Sequence, residues 1–158
     1  VSRRNGRILA VQALYSYDVG KSSLDDLLKL EWAEGNDDGF LDDEVKISAD
    51  GEKSSECTRL NPETCDFARL LISGTIGHID EIDRKIRDHL TGKWDFSRLN
   101  RVTLSILRIS VFAILYQKDL SPTIVIDEAI SISREFGTDD SFKFINAILD
   151  TIRKEESV

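Results

Sequence analysis

The twenty residues from Ser97 to Tyr116 constrain the fold more than any other stretch of this chain. Leu99, Val102, Ile106, Ile109, Ala113 and Tyr116 recur at alternating steps of three and four, the spacing of one helix face. Leu107, Val111, Phe112, Ile114 and Leu115 widen that face until little polar surface remains. A helix apolar almost all round must be buried, so the segment predicts a central helix that other elements surround.

The flanking sequence supplies helices to surround it. A first helix is expected from about Arg3 to Tyr17, with Ile8, Val11, Leu14 and Tyr15 on one face and Gly20 ending the run. Ser22 or Ser23 can cap a second, whose apolar side is Leu24, Leu27, Leu28 and Trp32; Asp25 and Asp26 lie in its first turn, where the helix dipole favours acids. Pro62 suits the start of a third, carrying Phe67, Leu70, Leu71, Thr75, His78, Ile79, Ile82 and Ile86 to about Leu90. Gly74 and Gly77 mark a kink or break in it, Gly92 ends it, and Lys93-Trp94-Asp95-Phe96 reads as a connector. Ser121 as cap and Pro122 in the first turn begin the next helix, with Ile126, Ala129, Ile130 and Ile132 inward and Gly137 at its end. Thr138 or Asp139 caps a last helix with Phe142, Phe144, Ile145, Ile148, Leu149 and Ile152. No β-type alternation occurs, so the class is all-α with about six or seven helices. One domain spans 1–158, divided into an N-terminal helical part, 1–92, and a C-terminal part, 93–158.

The net charge of −8 comes from one place. Between Ala33 and Asp66 stand eleven acids and three bases, and the rest of the chain is neutral. Overall acidity therefore does not oppose nucleic-acid binding, where the distribution of charge matters. Within this stretch periodicity disappears at about 34–61, which reads as a long acidic surface loop, with a weak helical piece around Phe40–Ile47. No apolar run approaches the roughly 20 residues of a membrane span, and the opening residues lack the apolar core of a signal peptide, so the expectation is a cytoplasmic protein. Cys57 and Cys65 are then expected as reduced thiols. With His78 and His89 they form no metal-binding spacing, and no cofactor is expected. Glycine-rich phosphate loops, HExxH, GxSxG and CxxC are absent, and sequence-adjacent acids such as Asp127-Glu128 do not face one another on a helix. The chain reads as a binding protein and not an enzyme.

Three sets of residues could bind. Arg3, Arg4 and Arg7 crowd a helix N-terminus, where the macrodipole opposes cations; they are either solvated charge or a site for an anionic partner. Arg98, Arg101 and Arg108 line one face of the central segment, and Arg108, deepest among apolar neighbours, is either paired with an acid from another helix or in contact with RNA, or both. Lys143 and Phe144 together are the minimal unit for stacking a base while neutralising its phosphate. An aromatic in a helix is more often core. Yet Phe142 and Phe144 lie about 200° apart on a helix and cannot share one buried stripe.

Two stretches resemble the NusB family. One is Arg3-Arg4-Asn5-Gly6-Arg7 with Ala10-Val11-Gln12-Ala13-Leu14-Tyr15. The other runs through Leu107-Arg108-Ile109, Ser121-Pro122, Val125-Ile126-Asp127-Glu128-Ala129-Ile130, Phe136-Gly137, Ser141, Lys143-Phe144-Ile145-Asn146 and Leu149-Asp150. The resemblance implies two packed helical bundles and an RNA-binding surface along which the N-terminal arginines and the C-terminal half meet. It implies transcription antitermination, especially of ribosomal RNA operons, with a boxA-like single-stranded RNA, the ribosomal small-subunit protein NusE and the RNA polymerase elongation complex as partners. A homodimer is compatible with it. By position, Arg3, Arg4, Arg7, Gln12, Arg108, Lys143 and Phe144 fall to RNA, and Tyr15 and Asp140 to the protein partner. Gly6 departs from the usual alanine, at up to about 1 kcal/mol of helix propensity. Asp127, Ala147, Thr103 and Leu104 are further departures, the last two where an acid and a base are usual. The alternatives are the N-terminal RNA-binding domain of an RNA cytosine methyltransferase and a helical adaptor or homodimer without RNA binding.

Overall fold

The computed structural model describes residues 2–20, 23–29, 62–90, 95–137 and 140–156. Readings that involve the acidic loop 34–61, the piece at Phe40–Ile47, Ser22, Trp32, Cys57, Gly92, Lys93-Trp94 and the cap at Thr138 or Asp139 lie outside them. Among the described residues there are seven α-helices, one 3-10 turn and no strand. The chain divides into two compact units, Val1–Ser73 and Gly74–Val158.

In the first unit, α1 (Ser2–Val19) buries Ile8, Val11 and Leu14 as expected, together with Leu9, Ala10 and Ala13. Tyr15 is on the outside, 41% exposed. The Gly20 amide donates to the Ser16 carbonyl as the helix ends. Ser23 caps α2 (Leu24–Lys29), its hydroxyl accepting from the Asp26 amide at 3.2 Å, and Leu27 is buried. Helix α3 (Pro62–Gly77) starts at its proline. Its buried line is Cys65, Ala68, Ile72 and Thr75 with Leu71, while Phe67 is only half-buried and Leu70 is exposed. The apolar pattern also points to Phe67 and Leu70; the structure turns Leu70 outward and leaves the Phe67 ring half-buried against Gly6 of α1. A Cβ on Gly6 would lie 2.8 Å from the Phe67 ring and 3.2 Å from the Thr64 carbonyl oxygen. The glycine thus gives up helix propensity for close backbone approach. Arg69 Nε donates to the Leu28 carbonyl at 2.9 Å and ties the end of α2 to α3. Cys65 is buried, and the other cysteine of the sequence, Cys57, lies outside the described residues.

In the second unit, the break falls at His78, between α3 and α4 (Ile79–Asp88). Helix α4 belongs to this unit, although the sequence reading grouped it with the N-terminal part; Ile82 and Ile86 are buried as it packs on the central helix. That helix, α5 (Arg101–Tyr116), begins four residues later than the apolar pattern suggested. Phe96–Arg98 instead form the 3-10 turn, capped by Asp95, and the Asn100 carboxamide oxygen accepts from the Val102 and Thr103 amides to start α5 afresh. Every residue from Thr103 to Ile114 is buried. Helices α4, α6 (Pro122–Phe136) and α7 (Ser141–Glu156) surround α5. Pro122 opens α6, but Ser121, expected as its cap, makes no side-chain cap bond. Helix α7 turns Ile145, Ile148, Leu149 and Ile152 into the core.

Candidate nucleic-acid interface

The two basic sets lie in different units, and each has its own geometry. In the first, α1 opens with no acid in its first turn. The half-buried ring of Phe67, on α3, faces two of its arginines: the guanidinium carbons of Arg3 and Arg7 lie 5.8 and 5.4 Å from the ring centroid. Arg3 is exposed, Arg4 half-buried and Arg7 buried, so the three are not equivalent. The aromatic face offsets part of the cost of gathering cations at a helix N-terminus. The sequence reading missed Phe67 because it was assigned to the core. Farther along α1, Gln12 is half-buried and Tyr15 exposed.

In the second unit, α7 and the 3-10 turn border an open groove of about 810 Å³. Lys143, Phe144, Asp140, Ala147 and Thr151 enter it from the α7 side, Arg98, Leu99, Asn100 and Thr103 from the turn and the start of α5, and Asp88 and His89 from the end of α4. Helical geometry explains the placement of the two phenylalanines. Ile145, Ile148 and Leu149 define the inner face, leaving Phe144 at its edge, half-buried on the groove. Phe142 points elsewhere and carries Arg134, 4.7 Å from its centroid. Lys143 is exposed and stands 3.9 Å from the equally exposed carboxylate of Asp140. Next to His89, polar side chains of α4 and α7 meet. Lys85 Nζ lies 3.2 Å from both Glu155 and Glu156, and His89 Nε2 lies 2.6 Å from Glu155. Burial works to lower the Lys85 pKa, but the two carboxylates outweigh it and hold the ammonium above its ordinary value.

Arg108 does not line this groove. It is 5% exposed, and its Nε and Nη2 donate to the two oxygens of Asp83 on α4 at 2.9 and 3.0 Å. Of the two readings for this arginine, the ion pair with another helix is present. Nor do Arg98, Arg101 and Arg108 form one helical stripe, because Arg98 precedes α5 in the 3-10 turn and Ser105, between the other two, is buried. What the sequence reading missed here is the opposite wall: His89, Asn100 and Thr103 carried no local signal as groove residues, since only packing brings α4, the turn and α7 together. Among the described residues, no cluster of metal-binding side chains occurs and no helix is long and apolar enough to cross a membrane.

Comparison with known proteins places the chain in a family. The model of the NusB family matches residues 4–154. The chain is 44% identical to the transcription antitermination protein NusB of Treponema denticola, over 98% of both chains. It resembles a solved T. maritima NusB at 29% identity with a TM-score of 0.73, covering 97% of this chain and 91% of that one. A further structural neighbour, at 24% identity and a TM-score of 0.74 over 98% of this chain and 97% of the other, was solved as antitermination factors NusB and NusE in complex with double-stranded RNA.

Proposed function

The chain belongs to the NusB family, and on that premise we propose that it binds a boxA-like single-stranded RNA together with ribosomal protein NusE, supporting processive transcription of ribosomal RNA operons by the RNA polymerase elongation complex. The observation that carries the RNA reading is the Lys143–Phe144 pair on an open groove. A ring at the edge of a groove offers a face for an unstacked base, and the neighbouring ammonium neutralises the phosphate. Arg3, Arg4, Arg7 and Gln12 form the second RNA-contacting set, in which Phe67 orients two of the guanidiniums. Tyr15 and Asp140, both exposed, are assigned to NusE. That a neighbour of the same fold was solved with NusE and double-stranded RNA supports NusE and RNA as the classes of partner. Arg108 acts in this reading through its pair with Asp83, which holds α4 against α5.

Titration of a boxA-like RNA and a scrambled control, with and without NusE and at two salt concentrations, tests the proposal. Expected are a preference for the boxA-like sequence, salt sensitivity from phosphate contacts and tighter binding with NusE. Phe144→Ala should cost roughly 1–3 kcal/mol of RNA affinity. An unchanged affinity in a folded Phe144→Ala protein would return that ring to a purely structural role.

A further inference from the structure

The groove holds a second cation that faces the same space as Lys143 but comes from a different element. Arg98 ends the 3-10 turn Phe96–Arg98, is exposed and has no ion-pair partner among the described residues. The turn is fixed on three sides. Asp95 accepts from the Ser97 amide at 3.0 Å, the Phe96 ring lies 4.3 Å from the Arg87 guanidinium carbon, and Leu99 is buried immediately after it. An exposed arginine on so restrained a backbone loses less freedom on binding than one on a mobile loop. Its charge is felt locally: the Ser97 hydrogen bonds chiefly, and Arg98 in addition, hold the Asp95 carboxyl below its ordinary value.

Resting on the RNA reading above, we infer that Arg98 is a second backbone anchor, which binds through its forked guanidinium a phosphate next to the nucleotide whose base stacks on Phe144. Three observations lead there. The groove, at about 810 Å³, is of a size for small-molecule recognition. Its floor is apolar, with Leu99 and Ile148 beside Phe144, and suits a base face. Lys143 is a flexible point charge already shared with Asp140, so it neutralises a phosphate without fixing its direction, whereas an arginine fork meets two phosphate oxygens at once. Backbone contacts of this kind set the register in which bases are read. A single strand can present a splayed base and its phosphate to such a groove, while a paired base cannot leave its stack without cost.

The test uses the full chain and a boxA-like single-stranded RNA, titrated over a salt series with wild type, Arg98→Gln, Arg98→Lys, Phe144→Ala and the control Arg84→Gln, an exposed arginine that does not line the groove. Circular dichroism melts establish that each variant folds. Arg98→Gln is expected to weaken binding about fivefold and to reduce the slope of log affinity against log salt by about 0.7, one phosphate contact on a single strand. Arg98→Lys should keep the slope yet bind more weakly than wild type, because the charge remains and the fork is lost. Arg84→Gln should match wild type. If Phe144→Ala weakens binding while Arg98→Gln behaves like Arg84→Gln, the Arg98 assignment is wrong and the RNA reading stands. If wild type does not bind, both are overturned; if wild type binds and Phe144→Ala has no effect, Phe144 stacks no base and the Arg98 assignment, which places its phosphate beside that base, is overturned with it.

Discussion

Replacing Asp83 with alanine removes the carboxylate that both donors of the Arg108 fork meet at 2.9 and 3.0 Å. The pair is nearly dry: the two side chains retain 7% and 13% of their exposure. Deleting one partner of a buried pair typically costs about 3–5 kcal/mol, because the remaining charge stays desolvated. Here the Phe96 ring, 6.0 Å from the guanidinium carbon, still faces the cation, and water reaches the site through the space Asp83 leaves. The lower end, about 3 kcal/mol, is therefore expected. With a urea m-value of about 2 kcal/mol/M, the unfolding midpoint should fall by about 1.5 M. Replacing both partners, Asp83→Leu with Arg108→Met, should recover most of that loss, since an apolar pair of similar volume has no charge to desolvate. Urea unfolding followed by circular dichroism reads both variants. A midpoint shift below about 0.5 M for Asp83→Ala, or a double variant no more stable than the single one, would refute the claim that this pair locks α4 to α5.

Other expectations follow from contacts within each unit. A Cβ on Gly74 would stand 2.2 Å from Cζ of the buried Phe112, so Gly74→Ala should destabilise by a net of about 1 kcal/mol despite its better helix propensity; a melting temperature above wild type would show that the ring yields freely. Phe67→Leu removes the face under Arg3 and Arg7 and should weaken boxA-like RNA binding about threefold at unchanged fold; equal affinities would dissociate that ring from the site. Lys85 is raised above its ordinary 10.5, so its contribution to stability is complete below that pH and is lost as pH rises through the folded-state value. Tyr116, raised by its hydrogen bond to Glu81, acts in the same direction, so the alkaline fall in unfolding free energy should be shallower in both Lys85→Met and Tyr116→Phe. Identical alkaline slopes in wild type and Lys85→Met would remove Lys85 from that account. Asp150, held low by Arg153 and Lys154, has the opposite sign. Its contribution is present above 3.8 and lost as pH falls through the lowered value, so Asp150→Asn should flatten the acid limb of the same titration.

The helices, their order and the burial of the central one were legible in the amino-acid order, because each rests on hydrogen bonds within a few residues and on an apolar period that one helix carries by itself. Pro62, Pro122 and Gly20 mark helix ends by backbone chemistry that needs no neighbour. The same local information singled out Lys143 and Phe144, since two aromatics about 200° apart cannot share a face. What lay beyond it depends on which helix faces meet. Nothing near Arg108 in sequence announces Asp83, 25 residues away. Phe67 reads as core by its spacing, and only the approach of α1, with Gly6 against the ring, sets it beside Arg3 and Arg7. Arg98 belonged by spacing to a helical stripe, and only the Asp95 and Asn100 caps, competing with the apolar period, moved it into a separate turn on the groove. Periodicity determines which side of a helix seeks cover; the partner that covers it, and the clefts left at the edges, are chosen by long-range packing and so exist only in the folded chain.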